Sequence, residues 1–309
     1  MNEDRSLRSR IALALTLVYL IWGTSYIATK VMVTDVPPLS AAGLRFVLAG
    51  FLLTTFSWMR YGRPDLAPRE LRHILVMGFL AVLFSNACHV IAMQHVQSNT
   101  AAFLNATPAL WIAWLGTFGA KRRPLTVAQQ AGIFVGLAGV LLILAPKGGF
   151  HAAGIGWQLL ILLGCLAWSL GTIYHRNAGV ANPPLMFVAL QMLAGGLGLL
   201  VVAPVAGEAF TLDWTPRAIV AFLFLTLASS CLAYAAYAWL IVHTTPVVVS
   251  SYGYVCPAVA AVAGWLLLGE TLTGVQIAGM AVILAGVALV TGYWQPLPPS
   301  RPPEVRTGA

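Results

Sequence analysis

Polar residues are rare and grouped along this chain, and between the groups lie ten apolar stretches. They run roughly 11–33, 38–59, 73–95, 98–119, 127–145, 156–175, 184–205, 217–242, 246–268 and 275–293. A helix needs about 20 mostly apolar residues to cross the hydrocarbon of a bilayer. The pattern therefore predicts an all-α membrane protein of ten transmembrane helices. Arg5, Arg8 and Arg10 ahead of the first stretch resemble the lead of a signal peptide. The apolar run that follows is too long for that role, and Thr24-Ser25-Tyr26-Ile27-Ala28-Thr29 offers no small-x-small cleavage site.

The second half of the pattern repeats the first. Shifting the numbering by 146 places Trp22 on Trp168, Lys30 on Arg176, Pro37-Pro38-Leu39 on Pro183-Pro184-Leu185 and Gly50 on Gly196. A slightly different shift carries Leu125-Thr126 onto Leu272-Thr273 and Ala138-Gly139-Val140 onto Ala285-Gly286-Val287. The chain divides into a tail (1–10), a first repeat (11–146), a second (147–293) and a proline-rich tail (294–309) expected to be disordered in the cytoplasm. Each repeat holds five helices. Because five is odd, the second copy starts from the opposite side of the membrane, which predicts two inverted five-helix repeats. Inverted repeats recur in secondary transporters, which hold substrate near the midplane between the halves. Duplication into a larger, non-transporting scaffold or sensor is the other reading.

Composition and charge sharpen this picture. Hydrophobic residues form 59% of the chain and charged ones 8%, against about 25% charged in a soluble domain. With the N-terminus cytoplasmic, thirteen of the 17 Lys and Arg fall on inner segments. Lys30, Lys147 and Arg217 fall at outer ends, and Arg45 lies within a helix. That bias orients the bundle with both termini in the cytoplasm. The net charge of +8 then reflects topology and attraction to anionic lipid, not nucleic acid.

Several short motifs carry a family resemblance. They are Trp22-Gly23-Thr24-Ser25-Tyr26, Pro37-Pro38 with Leu44-Arg45-Phe46 and Ala49-Gly50, the prolines Pro108 and Pro257, and Leu268-Gly269-Glu270-Thr271-Leu272-Thr273. Their order in two copies over about residues 12–292 resembles the EamA-type family of the drug/metabolite transporter superfamily. The resemblance implies a ten-helix bundle in the bacterial inner membrane that exports small metabolites, often amino acids. One departure is that the first repeat has Ala120-Lys121-Arg122-Arg123-Pro124 where the second has Gly269-Glu270-Thr271. No role for the glutamate is carried into the first repeat.

Arg45 is the strongest candidate for substrate binding. It lies some three residues, or roughly 4–5 Å, from the centre of the second apolar stretch. An arginine there costs about 2.5–3.5 kcal/mol on insertion scales and faces a partner or cavity. All nine carboxylates lie in loops, tails or helix ends, with Asp35 and Glu270 the nearest conceivable partners. Arg45 either meets an anionic substrate group or locks its helix through carbonyls. Its repeat counterpart is the neutral Gln191, which makes the cavity electrically lopsided.

Pro108 and Pro257 lie near the centres of the fourth and ninth stretches. An interior proline removes one hydrogen bond and clashes with the carbonyl four residues back, here Leu104 and Gly253. Such kinks line a cavity or serve packing. In the first case Asn105 and Tyr254 present polar groups inward. Asn86 and His89, three apart, share a face of the third helix and look into the bundle. His89 suits either a proton-coupled cycle or a packed hydrogen bond. Ser229, Ser230, Cys231, Tyr234 and Tyr237 form a polar stretch of the eighth helix. Trp22 and Trp168 read as paired aromatic gates or as core packing, whereas Trp58, Trp157 and Trp214 read as interfacial anchors.

Glycine-rich faces, Gly132-x-x-x-Gly136 with Gly139 and Ala281-x-x-x-Ala285 with Gly286, suit scaffold packing or a homodimer contact. The four cysteines have no metal or redox spacing, and no P-loop, dinucleotide loop or His-Glu-x-x-His is present. The expectation is thus no metal, no cofactor and no enzyme. The partners are a small-molecule substrate and membrane lipid. Within transport, efflux of cationic drugs would want an embedded carboxylate, and the sequence offers none.

Overall fold

The structure is a computed structural model and describes residues 2–118, 124–144, 152–209, 214–244, 248–249 and 251–292. The Lys121-Arg122-Arg123 run, Lys147, Asp213 and the C-terminal tail fall outside these residues. Among the described residues the chain is helical, without strands. The helices are α1 (Asn2–Asp35), α2 (Pro38–Tyr61), α3 (Pro68–Met93), α4 (Ser98–Leu104), α5 (Pro108–Leu115) and α6 (Val127–Leu144). They continue with α7 (Ala152–Ala178), α8 (Pro184–Val205), α9 (Pro216–His243), α10 (Tyr252–Leu268) and α11 (Gly274–Gly292). Eight are long and apolar enough to cross a membrane, and α10 is a shorter apolar helix.

Helix boundaries follow local chemistry. Pro38, Pro68, Pro184 and Pro216 stand at the first turns of α2, α3, α8 and α9, where a missing N–H costs nothing. Gly269 ends α10 in the left-handed conformation at φ 64°, and Glu270 N–H then reaches back to Gly264 O at 3.1 Å. The helix α1 begins nine residues before the apolar stretch that predicted it. Polar residues that lie outside a bilayer can still be helical, and hydropathy does not register them.

The fourth stretch differs from a single kinked helix. It is split into α4 and α5 by turns at Asn105–Thr107, and Pro108 starts the second piece. The proline lacks an N–H, so the Leu104 carbonyl takes Thr107 N–H at 3.1 Å and Thr107 Oγ1–H at 2.6 Å instead. Pro257, by contrast, stays inside a continuous α10.

Both α3 and α9 widen into π-helical hydrogen bonding, over Gly78–Phe84 and Phe224–Ala233. In α3 the Ser85 N–H bonds the Leu80 carbonyl five residues back. The two π segments begin 146 positions apart, the same shift that relates the repeats.

Repeat-related helices pack on each other, α2 against α8 and α6 against α11. A Cβ on Gly286 would stand 2.4 Å from Gly136 N, and one on Gly50 would stand 2.8 Å from Leu193 N. The glycine faces of α6 and α11 are therefore occupied by each other within one chain. A homodimer would need a different surface. The bundle buries Met32, Leu104, Met192, Leu199 and Leu225, and leaves Phe51, Phe134, Val220 and Leu266 on its outside. An apolar exterior is the arrangement that a lipid solvent favours.

Candidate functional site

The guanidinium of Arg45 sits inside the bundle, only 8% exposed, on the second turn of α2. Its Nε donates to Ser230 Oγ at 2.9 Å, within the π segment of α9. Its carbon lies 4.7 Å from the centroid of the Phe46 ring. Among the described residues no carboxylate reaches it. Asp35 instead pairs with Arg217, at 2.5 Å and 2.6 Å, and accepts from Thr215. Glu270 accepts from Ser98 N–H at 2.7 Å, Ser98 Oγ–H at 2.9 Å and Asn99 N–H at 3.0 Å.

The other acidic groups are committed in the same way. Glu208 takes Leu39 N–H, Ser40 N–H and Ser40 Oγ–H at 2.8–2.9 Å, and Glu70 takes Ala181 N–H and Asn182 Nδ2–H at 3.0 Å. Glu208 and Glu270 thus cap the positive ends of α2 and α4, each from the opposite repeat. Helix N-termini leave N–H groups without internal partners and attract negative charge. Sequence reasoning missed these caps. The available signal was that neither Pro37 nor Gln97 can cap its own helix, so an acceptor had to come from elsewhere.

An aromatic cluster stands beside Arg45. The rings of Tyr234, Tyr237 and Tyr252 lie 5.1, 5.2 and 5.1 Å from Trp22, and Tyr237 lies 5.8 Å from Tyr252. The Trp22 indole N–H donates to Ser229 O at 3.3 Å. Ser230, which holds Arg45, lies about one turn before Tyr234 on α9. His89 meets Tyr26 edge-on at 5.8 Å and the Asn105 amide nitrogen at 3.1 Å. With the amide as donor, the ring carries its proton on Nε2. Asn105 Oδ1 accepts from the Cys165 thiol at 3.6 Å. The break before Pro108 is therefore what aims Asn105 at His89. Helices α1, α2, α3, α9 and α10 and the α4–α5 break meet in one half-buried polar and aromatic region.

Other residues singled out in the sequence are placed elsewhere. Tyr254 turns its hydroxyl to Thr291 on α11, while Tyr252 joins the cluster. Two residues apart on a helix means nearly opposite faces, so only one of the pair can look inward. Trp168 packs with Ile74, Met77, Ala81 and Phe187, away from Trp22. Asn86 returns its amide to Ala81 O at 3.1 Å, across the π segment. Gln191 is buried, with Oε1 lacking a protein partner. Lys30 donates to Met93 O at 2.7 Å and Gln94 O at 3.1 Å, closing the end of α3 rather than merely reaching the interface.

The model of the EamA-like transporter family matches the chain twice, over residues 9–145 and 155–292. The chain belongs to the EamA-like transporter family. It is 35% identical to the uncharacterized inner membrane transporter YedA of Escherichia coli (strain K12), over 90% of this chain and 89% of the relative. It is 28% identical to the uncharacterized transporter YvbV of Bacillus subtilis, over 92% of each. A probable amino-acid metabolite efflux pump of Salmonella typhimurium is 27% identical over 88% of this chain and 91% of the relative. A solved crystal structure superimposes with a TM-score of 0.64, at 20% identity, over 92% of this chain and 96% of the other. That likeness concerns the fold alone.

Proposed function

We propose that this family member is a secondary transporter of the bacterial inner membrane that exports small metabolites, amino acids or related carboxylates, by alternating access. In this reading ten membrane passes form two inverted five-helix units, with both termini cytoplasmic. The observation that carries it is Arg45, a buried cation that, among the described residues, has a hydrogen bond at Nε and no carboxylate beside it. An anionic group of the substrate would complete the guanidinium fork. Trp22, His89, Asn105 and Tyr234 would line the same site. Asn86, Trp168, Gln191 and Tyr254 would shape it from further out, and Pro108 and Pro257 would set the helix directions. The relatives named as transporters support the class, and the Salmonella typhimurium relative's name supports amino-acid metabolites.

The test is substrate binding and counterflow by purified, folded variants, with an acid and its amide compared side by side. Arg45→Gln should weaken the acid about 10- to 150-fold, the loss of one charge-assisted contact, and the amide far less. Arg45→Lys should rescue partly, because lysine keeps the charge but lacks the planar fork. Equal losses for acid and amide would make Arg45 a structural lock. Counterflow that moves no solute would favour a scaffold.

A further inference from the structure

The charge inventory around Arg45 narrows the class of carboxylate. Five acidic side chains are described, and all five are engaged at helix ends or loops. Asp35 is held by Arg217, Glu70 by residues 181–182, Glu208 by Leu39 and Ser40, and Glu270 by Ser98 and Asn99, while Asp65 accepts from Ala67 N–H. The other four, Glu3, Asp4, Asp213 and Glu304, lie outside the apolar stretches. Among the described residues the centre therefore has one fixed cation and no anion.

Most of its neutral acceptors are also engaged. Ser230 Oγ takes Arg45, Ser229 O takes Trp22, and Asn105 Oδ1 shares the Cys165 thiol proton with Leu104 O. Phenol oxygens and the unpartnered Gln191 Oε1 remain, and these neutral acceptors are poor substitutes for a carboxylate. Nor is the aromatic group an open cage for a cation. Trp22 is already met by three tyrosine rings at interplanar angles of 66°, 45° and 81°. A substrate ammonium would enter beside a guanidinium, shed its water and find no counter-charge.

We infer that this site prefers a monocarboxylate with an apolar or aromatic body and no charged ammonium over the corresponding zwitterionic amino acid. The inference rests on Arg45 as the carboxylate site, and adds the exclusion of a second, positive charge. The carboxylate takes the free end of the guanidinium, and the apolar body packs toward Tyr234 and Trp22.

Three probes on one skeleton separate these claims: 3-phenylpropionate (acid alone), phenylalanine (acid and ammonium) and phenylalaninol (ammonium alone). Binding to the full chain in nanodiscs is read by tryptophan fluorescence and by the shift in thermal unfolding. 3-Phenylpropionate should bind at least roughly 10-fold more tightly than phenylalanine, the cost of an unpaired charge, and phenylalaninol should bind weakest. N-acetylphenylalanine, which removes the positive charge, should regain most of the difference. Arg45→Gln should abolish the preference, and Arg45→Lys, which retains a cation, should keep its order. If phenylalanine binds as tightly as the acid and both still depend on Arg45, the preference is overturned and the carboxylate site stands. If 3-phenylpropionate binds equally to the wild type and to folded Arg45→Gln, the carboxylate site fails as well. Absence of binding by all three probes at millimolar concentration would also overturn the proposed class.

Discussion

Glu270 Oε1 accepts the backbone N–H of Ser98 at 2.7 Å, across 172 positions of sequence. One carboxylate two residues past the end of α10 thus fixes the start of α4, and with Gly269 in the left-handed conformation its own backbone is fixed too. Helix caps contribute about 0.5–2 kcal/mol each. Glu270→Ala should lower the stability of the purified protein by that order in thermal or denaturant unfolding. Ser98→Ala on top of it should cost much less than Ser98→Ala alone, because the two share one contact. Fully additive losses would show that the cap does not couple the repeats.

Cysteine labelling separates two residues that the sequence treats alike. In a background lacking the four native cysteines, Asn105→Cys should react with a small aqueous thiol reagent and be protected by substrate. Tyr254→Cys, facing Thr291, should react far more slowly and without protection. Rapid labelling at 254 with none at 105 would relocate the aqueous path to the other side of α10.

Gly286 tests the α6–α11 pair. A Cβ there meets Gly136 backbone at 2.4 Å, an approach that no side chain can relieve by rotating. Gly286→Ala should destabilise by about 1–3 kcal/mol, the range for overpacking, as a lower unfolding temperature in detergent. Gly274, with nothing within 4 Å of its Cβ position, should accept alanine without a comparable loss. Similar behaviour of the two variants would mean the helices separate freely.

Topology reporters address the inverted arrangement directly. Fusions after Gly62 and Gly308 should report the cytoplasm, and fusions after Gly149 and Asp213 the exterior. A cytoplasmic signal at Gly149 would leave the two units parallel.

Helix positions were legible because a bilayer demands long apolar runs, and a run shows plainly in sequence. The split of the fourth stretch was half legible: Pro108 announced a disturbance, but whether a proline bends or ends a helix depends on what takes the freed carbonyl. At Leu104 the answer is Thr107. Arg45 stood out for its cost in an apolar setting, and its partner Ser230 lay within a polar stretch already singled out. Choosing Tyr252 over Tyr254 was beyond the sequence, because the rotation of α10 is set by packing against α1 and α4. The long-range caps were hidden for a related reason. A glutamate in a loop looks solvated until the opposite repeat is seen folded against it.

The matched π segments also make registration in this bundle a question of phase. Each residue added to or removed from a helix turns everything beyond it by about 100° and moves it ~1.5 Å along the axis. Wide turns absorb such a residue locally, and those at 78–84 and 224–233 precede His89 and Tyr234 respectively. Deleting one residue from either segment, which would let the ordinary α-helix close, should act as a dial on the side chains beyond it while leaving the composition of the helix almost unchanged. His89 would swing off Asn105, or Tyr234 off Trp22, by a quarter turn or more. The meeting of these pairs is in that sense a vernier setting, written in two short stretches that themselves carry none of the contacting rings.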